Sequence, residues 1–139
     1  MQENENILPD TCNFRDVQPI MMNLPYPPIQ VRKKNKDYAN ILSFDYCGSV
    51  SEMSAITQYI NNENRLSILG IAMAEMIHLQ KLGQLIFLLG GTIDFSVRHR
   101  NGKEQLWTPE YIDIPEHAKK MLLADIESEK AAIYQYRMH

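Results

Sequence analysis

The chain has 139 residues, enough for one domain with a buried core and too few for two domains of ordinary size. Its 14 Lys and Arg residues and 17 Asp and Glu residues give a formal net charge of −3, which argues against nucleic acid as the main partner. The two cysteines, Cys12 and Cys47, form no Cys-x-x-Cys pair, so this chain alone cannot build a zinc ribbon or a rubredoxin-type iron site. We expect free thiols, with a Cys12–Cys47 disulfide as the alternative.

The N-terminal segment, residues 1–37, shows neither helical nor strand periodicity. Prolines punctuate it, and the stretch MNLPYPPIQV is typical of an extended, polyproline-like arm. The first ten residues are acidic and polar, unlike a secretory signal peptide. We therefore expect an arm over residues 1–37 and one helical domain over residues 38–139, in a soluble, cytoplasmic protein.

The first predicted helix runs from Tyr38 to about Asn61, because apolar residues recur there at three- and four-residue steps. Its inward stripe contains one carboxylate, Glu52, between apolar neighbours. Gly48 weakens the middle of the helix by about 1 kcal/mol relative to alanine. Residues 61–64, Asn-Asn-Glu-Asn, are expected to end the helix and to form a tight turn.

The second predicted helix runs from about Arg65 to Leu89 and contains the most apolar stretch of the chain. Glu75 and His78 lie inside this stretch, and their three-residue step places them on one face, one turn apart. An ionisable group in a core costs several kcal/mol unless it is paired or metal-bound. A Glu-x-x-His step on an inward face can hold a metal, but a lone pair of this kind is more often an ion pair at the rim of the core, so the metal interpretation needs partners from the other helices.

Polar residues interrupt the same stretch, which argues against a membrane span. The dipeptide Gly90-Gly91 is a strong signal for the end of the helix. Two long helices joined by a short turn must lie antiparallel, so we expect the first and second helices to form a hairpin.

Residues 92–113 lack clear periodicity, and short extended pieces with a turn at Asn101-Gly102 are expected there. A connection of this length suits a crossing from one end of a bundle to the other. The third helix is predicted to begin near Pro115, with Asp113 as its cap. Its inward stripe is predicted to consist of Leu122, Ile126, Glu129, Ile133 and Tyr136.

Each predicted helix thus carries one carboxylate on its inward stripe: Glu52, Glu75 and Glu129. Three buried carboxylates repel one another and cannot all stay ionised without cations between them. Carboxylate and imidazole ligands suit iron or manganese better than metals that prefer thiolates. The alternative interpretation is that one or two of these glutamates point outward.

The order of the motifs VSEMSAITQY, AEMIHL and DIESEKAAIYQYR resembles the ferritin-like di-metal carboxylate proteins, in particular their rubrerythrin-like and manganese-catalase-like branch. The resemblance covers about residues 38–139. It implies an all-α ferritin-like bundle with three long helices in this chain: a hairpin, a long crossover and a third helix. It also implies two iron or manganese ions, which react with peroxide or dioxygen and whose ligands are Glu52, Glu75, His78 and Glu129.

Two departures from the family pattern shape the functional hypothesis. The sequence contains no fourth helix with a second Glu-x-x-His, so the helical domain is expected to be C-terminally incomplete. The chain is then either a fragment or a subunit whose open apolar side is covered in a homo-oligomer, a dimer or larger. The four-cysteine iron site of rubrerythrin cannot form either, which favours a manganese-catalase-like or oxidase-like role.

Tyr59 and Tyr136 each lie two turns after a predicted ligand on the same stripe. Each is a candidate to hydrogen-bond a ligand, with a plain core tyrosine as the alternative. Two other functions stay open: a metal-binding or iron-storage protein, and a purely structural helical bundle with an incomplete metal site.

Overall fold

The computed structural model describes residues 26–66 and 68–139. Within these residues the chain forms four α-helices and one short hairpin: α1 (Lys36–Cys47), α2 (Glu52–Leu66), α3 (Leu69–Leu88), β1 (Ser96–Arg98), β2 (Glu104–Leu106) and α4 (Ala118–Met138). The predicted all-α bundle is confirmed, with α1 and α2 together standing for the first predicted helix. No helix of the described part is both long and apolar enough to cross a membrane.

The N-terminal arm was predicted over residues 1–37, of which residues 1–25 lie outside the described part. Residues 26–35 contain no helix or strand, and α1 begins at Lys36, two residues before the predicted start. The side chain of Asn35 accepts a hydrogen bond from the Tyr38 N–H at 3.1 Å and caps α1. Cys12 also lies outside the described residues, so its pairing stays a prediction.

The first predicted helix is interrupted between Cys47 and Glu52, which corrects the prediction of one continuous helix. A Cβ atom at Gly48 would lie 2.6 Å from the Phe44 carbonyl oxygen, so this close backbone approach requires glycine. The Ser51 hydroxyl accepts a hydrogen bond from the Ser54 N–H at 3.2 Å and caps the start of α2. The break makes Glu52 the first residue of α2.

Helix α2 continues to Leu66, so the predicted helix end and tight turn at residues 61–64 were wrong. Asn62 lies on the buried side of α2, where its side-chain amide donates hydrogen bonds to Asp125. This tertiary contact outweighs the preference of asparagine for turns. The connection to α3 is therefore only two residues long, and the second helix begins at Leu69 instead of Arg65.

Helices α2 and α3 pack along each other as the predicted antiparallel hairpin, and α3 also packs on α1. Helix α3 ends at Leu88, and Gly90, with φ of +87°, follows as the predicted terminator. The main apolar core joins α1, α3 and β1, and its buried members are Ala39, Leu42, Tyr46, Cys47, Leu82, Ile86, Leu89 and Val97.

The connection after α3 contains the expected extended pieces. Strands β1 and β2 pair antiparallel, with Ser96 opposite Leu106, around a turn in which Gly102 has φ of +81°. The indole N–H of Trp107 donates to the Ser54 hydroxyl at 2.9 Å, which ties the connection to the start of α2. The connection between α3 and α4 therefore runs past the break between α1 and α2.

Helix α4 begins at Ala118, so the predicted start near Pro115 and the predicted cap Asp113 were wrong. The Asp113 N–H instead donates to the Gln58 side chain at 3.2 Å. The residue before α4, His117, makes no side-chain capping bond.

The buried side of α4 differs from the predicted stripe. Met121 and Asp125 are the buried residues of this helix. Asp125 accepts hydrogen bonds from Gln58 and Asn62, at 2.7 and 2.9 Å, and these bonds anchor α4 to α2. The aliphatic members of the predicted stripe are 46–52% exposed: Leu122, Ile126 and Ile133. We call these three residues the exposed stripe of α4.

Candidate metal centre

The hairpin of α2 and α3 brings three of the predicted ligands together. Glu52 comes from the first turn of α2, and Glu75 and His78 come from one face of α3. Nδ1 of His78 lies 2.9 Å from Oε2 of Glu75 and 3.7 Å from Oε2 of Glu52. One ligand atom from each of the three residues lies within 4.8 Å of the other two, a separation that one metal ion can span.

These groups open into a cavity of about 130 Å³ between the α2–α3 hairpin and α4. Glu129, the fourth predicted ligand, lies on the wall of this cavity, although it is not part of the tight cluster. Ala55, Ser128 and Ala132 contribute small side chains to the wall. The cavity is thus polar at the cluster and large enough for ions and a small oxidant.

Both predicted tyrosines donate a hydrogen bond to one of the predicted ligands, and in each case the ligand lies on another helix. The Tyr59 hydroxyl donates to Oε1 of Glu129, and the Tyr136 hydroxyl donates to Oε1 of Glu52. Each bond thus joins α2 to α4 instead of following one helix. Burial and the acceptor carboxylates raise the pKa of both tyrosines, so both stay protonated and remain donors at neutral pH.

Burial and the short distances between Glu52, Glu75 and His78 shift the pKa values of all three side chains. Burial raises the pKa of Glu75 to about 7, and the neighbouring Glu52 adds to this rise while His78 opposes it. Burial also acts on Glu52, but the neighbouring His78 and Glu75 side chains and the hydrogen bond from Tyr136 outweigh it and lower its pKa. The adjacent carboxylates of Glu52 and Glu75, the second of which is hydrogen-bonded to Nδ1, raise the pKa of His78 to about 10. Without metal, a proton on His78 therefore partly balances the two carboxylates.

This donor set fits a transition-metal ion. Two carboxylates and one imidazole nitrogen converge on one volume, and their side chains are 7, 12 and 38% exposed for Glu52, Glu75 and His78. A bound cation would replace the proton on Nδ1 and relieve the repulsion between the carboxylates. Oxygen and imidazole ligands suit manganese and iron.

Comparison with solved structures identifies the architecture. A manganese catalase from Anabaena PCC7120, KatB, matches with a TM-score of 0.69 and 21% sequence identity. A second structure of KatB, the wild-type protein, matches with a TM-score of 0.67 and 20% identity. Each match covers 84% of this chain and 63% of the other. The chain has the ferritin-like fold of the manganese catalases.

The sequence analysis predicted this ferritin-like fold, and the structural match confirms it. The chain spans less than two thirds of the length of the matching chains. No protein-family model matches the sequence. A search among curated proteins likewise found no match.

Three polar contacts around this site were not predicted from the sequence. The Tyr26 hydroxyl lies 3.5 Å from Nε2 of His78, across 52 residues of sequence. Asp45, whose side chain is fully buried beside the cavity, bonds Gln135 at 2.8 Å and His139 at 2.7 Å. No local sequence pattern predicts these contacts, because they depend on how the arm and α4 pack on the hairpin.

Cys47 takes no part in this site. It belongs to the apolar core, and burial, followed by the nearby Asp94, raises the pKa of its thiol to about 12. The thiol therefore stays protonated at neutral pH, which makes it a packing residue and a poor metal ligand.

Proposed function

We propose that the cavity binds two manganese ions, or two iron ions, and that the loaded protein disproportionates hydrogen peroxide into water and dioxygen. The observation that carries the proposal is the convergence of Glu52, Glu75 and His78 on one cavity that Glu129 also lines. The fold is shared with structures described as manganese catalase, which favours manganese and peroxide over iron and dioxygen.

The protein residues would hold the ions through Nδ1 of His78 and the carboxylates of Glu52, Glu75 and Glu129. When bound, a redox pair of metal ions supplies the electron change by which one peroxide is oxidised to dioxygen and another is reduced to water. The balanced reaction, 2 H₂O₂ → 2 H₂O + O₂, needs no other reductant.

Other side chains around the cavity orient the ligands. The hydroxyls of Tyr59 and Tyr136 hold the carboxylates of Glu129 and Glu52 in place before an ion binds. Metal binding therefore does not have to include the entropic cost of ordering these two ligands.

A metal-binding or storage protein without turnover is the second candidate. The tight cluster contains three ligand groups, which suits a single ion. A second ion requires Glu129 to contribute, and its Oε1 atom is engaged by Tyr59. Metal uptake without oxygen release is the result that this candidate predicts.

The first test is oxygen release from peroxide by protein reconstituted with Mn²⁺, followed with an oxygen electrode. Glu75→Gln keeps the size of the side chain and removes its charge. Loss of outer-sphere partners alone typically costs 10–100-fold, so we expect activity to fall about 100-fold or more when a ligand is lost. The matched control is Glu127→Gln, because Glu127 is 70% exposed and pairs with Lys130 at the surface.

Wild-type activity that survives in Glu127→Gln and is lost in Glu75→Gln supports the catalytic proposal. Metal uptake with no oxygen release in the wild type favours the storage candidate. Equal activity in the wild type and Glu75→Gln would contradict the proposed site, provided that both proteins unfold at the same temperature.

A further inference from the structure

Tyr26, from the segment before α1, lies directly on the histidine of the candidate metal centre. Its hydroxyl oxygen is 3.5 Å from Nε2 of His78, and the two rings meet edge to face with centroids 5.7 Å apart and an interplanar angle of 72°. The ammonium of Lys81, one turn beyond His78 on α3, lies 4.9 Å from the centre of the Tyr26 ring. Three contacts of different kinds thus place this tyrosine.

The two ring nitrogens of His78 face different partners. Nδ1 faces Glu75 and Glu52 inside the cluster, whereas Nε2 faces Tyr26 on the outer side. A metal-binding histidine generally donates its other ring N–H to a polar atom, which fixes the tautomer and the ring orientation. The Tyr26 oxygen is placed to accept that proton.

The hydrogen bond is long, so the ring contacts matter for its formation. An edge-to-face aromatic pair and a cation–π contact both favour this placement of the Tyr26 ring. Together they hold Tyr26 over His78, although Tyr26 itself is 39% exposed. The hydroxyl can therefore act on the imidazole without being buried.

We infer that Tyr26 is a positioning residue for the candidate metal centre: its hydroxyl accepts the Nε2–H of His78 and keeps Nδ1 directed at the ion. The inference rests on the proposed function, since it concerns a ligand of the same site. It adds a role for the segment before α1, which the motifs on the helices do not reveal.

The first measurement is the affinity for Mn²⁺, from the electron paramagnetic resonance signal of free Mn²⁺ during titration. Tyr26→Phe retains the ring over His78 and removes only the acceptor oxygen. We expect its affinity for Mn²⁺ to fall about tenfold. Tyr38→Phe is the control, because Tyr38 lies on α1 and is exposed to nearly the same extent, 40%. We expect it to bind Mn²⁺ as the wild type does.

The second measurement uses metal-free protein labelled with ¹⁵N-histidine, so that it does not depend on the metal. The Nε2–H resonance of His78, assigned by its loss in His78→Gln, should be observable in the wild type and in Tyr38→Phe. In Tyr26→Phe it should broaden by exchange with water. A purely structural role for Tyr26 would leave this resonance unchanged while lowering stability.

The outcomes of the two measurements are separable. Weaker Mn²⁺ binding together with loss of the Nε2–H resonance in Tyr26→Phe supports the inference. Unchanged affinity and an unchanged resonance overturn it and leave the proposed function intact. If the wild type binds no Mn²⁺, the proposed function fails, and the resonance alone decides whether Tyr26 positions the imidazole.

Discussion

Glu75 and His78 show how far a local pattern determines the candidate site. Their three-residue step fixes their common face on α3, so the sequence alone predicted that they lie together. Glu52 lies close to both because the short connection between α2 and α3 makes these two helices pack side by side. Which carboxylate each of Tyr59 and Tyr136 would bind was not predictable, because it depends on the position of α4 relative to α2.

The metal-free cluster predicts a dependence of stability on pH. The pKa of Glu75 is raised by burial and by Glu52 from 4.5 to about 7, and that of His78 is raised by hydrogen bonds to the carboxylates from 6.5 to about 10. In both ranges the folded state binds more protons than the unfolded state. The contribution of the pair to stability is therefore largest at low pH and declines as the pH rises through each range.

Urea unfolding of metal-free protein across this pH range measures the effect. We expect the free energy of unfolding of the wild type to fall relative to that of His78→Gln as the pH rises from about 6.5 to about 10. His78→Gln removes the imidazole and keeps a polar side chain of similar length. If the free energy of unfolding of the wild type instead rises relative to that of His78→Gln as the pH rises, the assigned charges are wrong.

At the scale of secondary structure, the break between α1 and α2 sets the place of Glu52. Apolar periodicity continues across the break, which is why the sequence pattern predicted one helix. The break follows from a close backbone contact at Gly48 and from the Ser51 cap, two features that periodicity does not report. Gly48 was identified as a weak point, but its consequence required the three-dimensional structure.

Gly48→Ala tests this role of the break. The new Cβ atom would lie 2.6 Å from the Phe44 carbonyl oxygen, so the backbone must shift. We expect a loss of about 1–3 kcal/mol in the free energy of unfolding, and weaker Mn²⁺ binding because Glu52 moves.

Gly83→Ala is the matched control, because its Cβ atom would meet Tyr46 at 3.4 Å, within ordinary contact distance. Alanine also favours the helix over glycine by about 1 kcal/mol, so this variant should be as stable as the wild type or more stable. Chemical denaturation measures both variants. Equal stability of Gly48→Ala and Gly83→Ala would show that the break tolerates a side chain.

Helix α4 shows a second limit of periodicity. Its aliphatic residues repeat as cleanly as a core stripe, yet Asp125 occupies the buried side, since Gln58 and Asn62 satisfy its carboxylate. A buried aspartate with amide partners on another helix leaves no pattern in the sequence of its own helix. The existence of α4 was therefore predictable, whereas the face it buries was not.

At the scale of the whole molecule, the exposed stripe of α4 is a row of apolar side chains that the described residues leave about half exposed. Among the described residues, helix α4 packs chiefly on α2 and to a lesser extent on α1. The chain spans 63% of the length of the manganese catalase structures that it matches. We propose that a second copy of this chain covers the stripe.

Ile126→Glu tests this proposal, because it places a charge in the middle of the exposed stripe. We expect the wild type to sediment as a dimer or a larger oligomer, and Ile126→Glu to shift the equilibrium toward the monomer, as measured by analytical ultracentrifugation. Leu106→Glu, at a β2 residue that is 68% exposed, is the control for an added charge elsewhere. A wild type that stays monomeric at all concentrations would rule out the proposed self-association.

The proposed metal site is tested by the metal content of purified protein, measured by elemental analysis after reconstitution with Mn²⁺ or Fe²⁺. We expect about two ions per chain in the wild type and in Glu127→Gln, and loss of bound metal in Glu75→Gln. Metal at background level in the wild type after reconstitution with either ion would contradict the proposed site and leave a structural bundle with the ferritin-like fold.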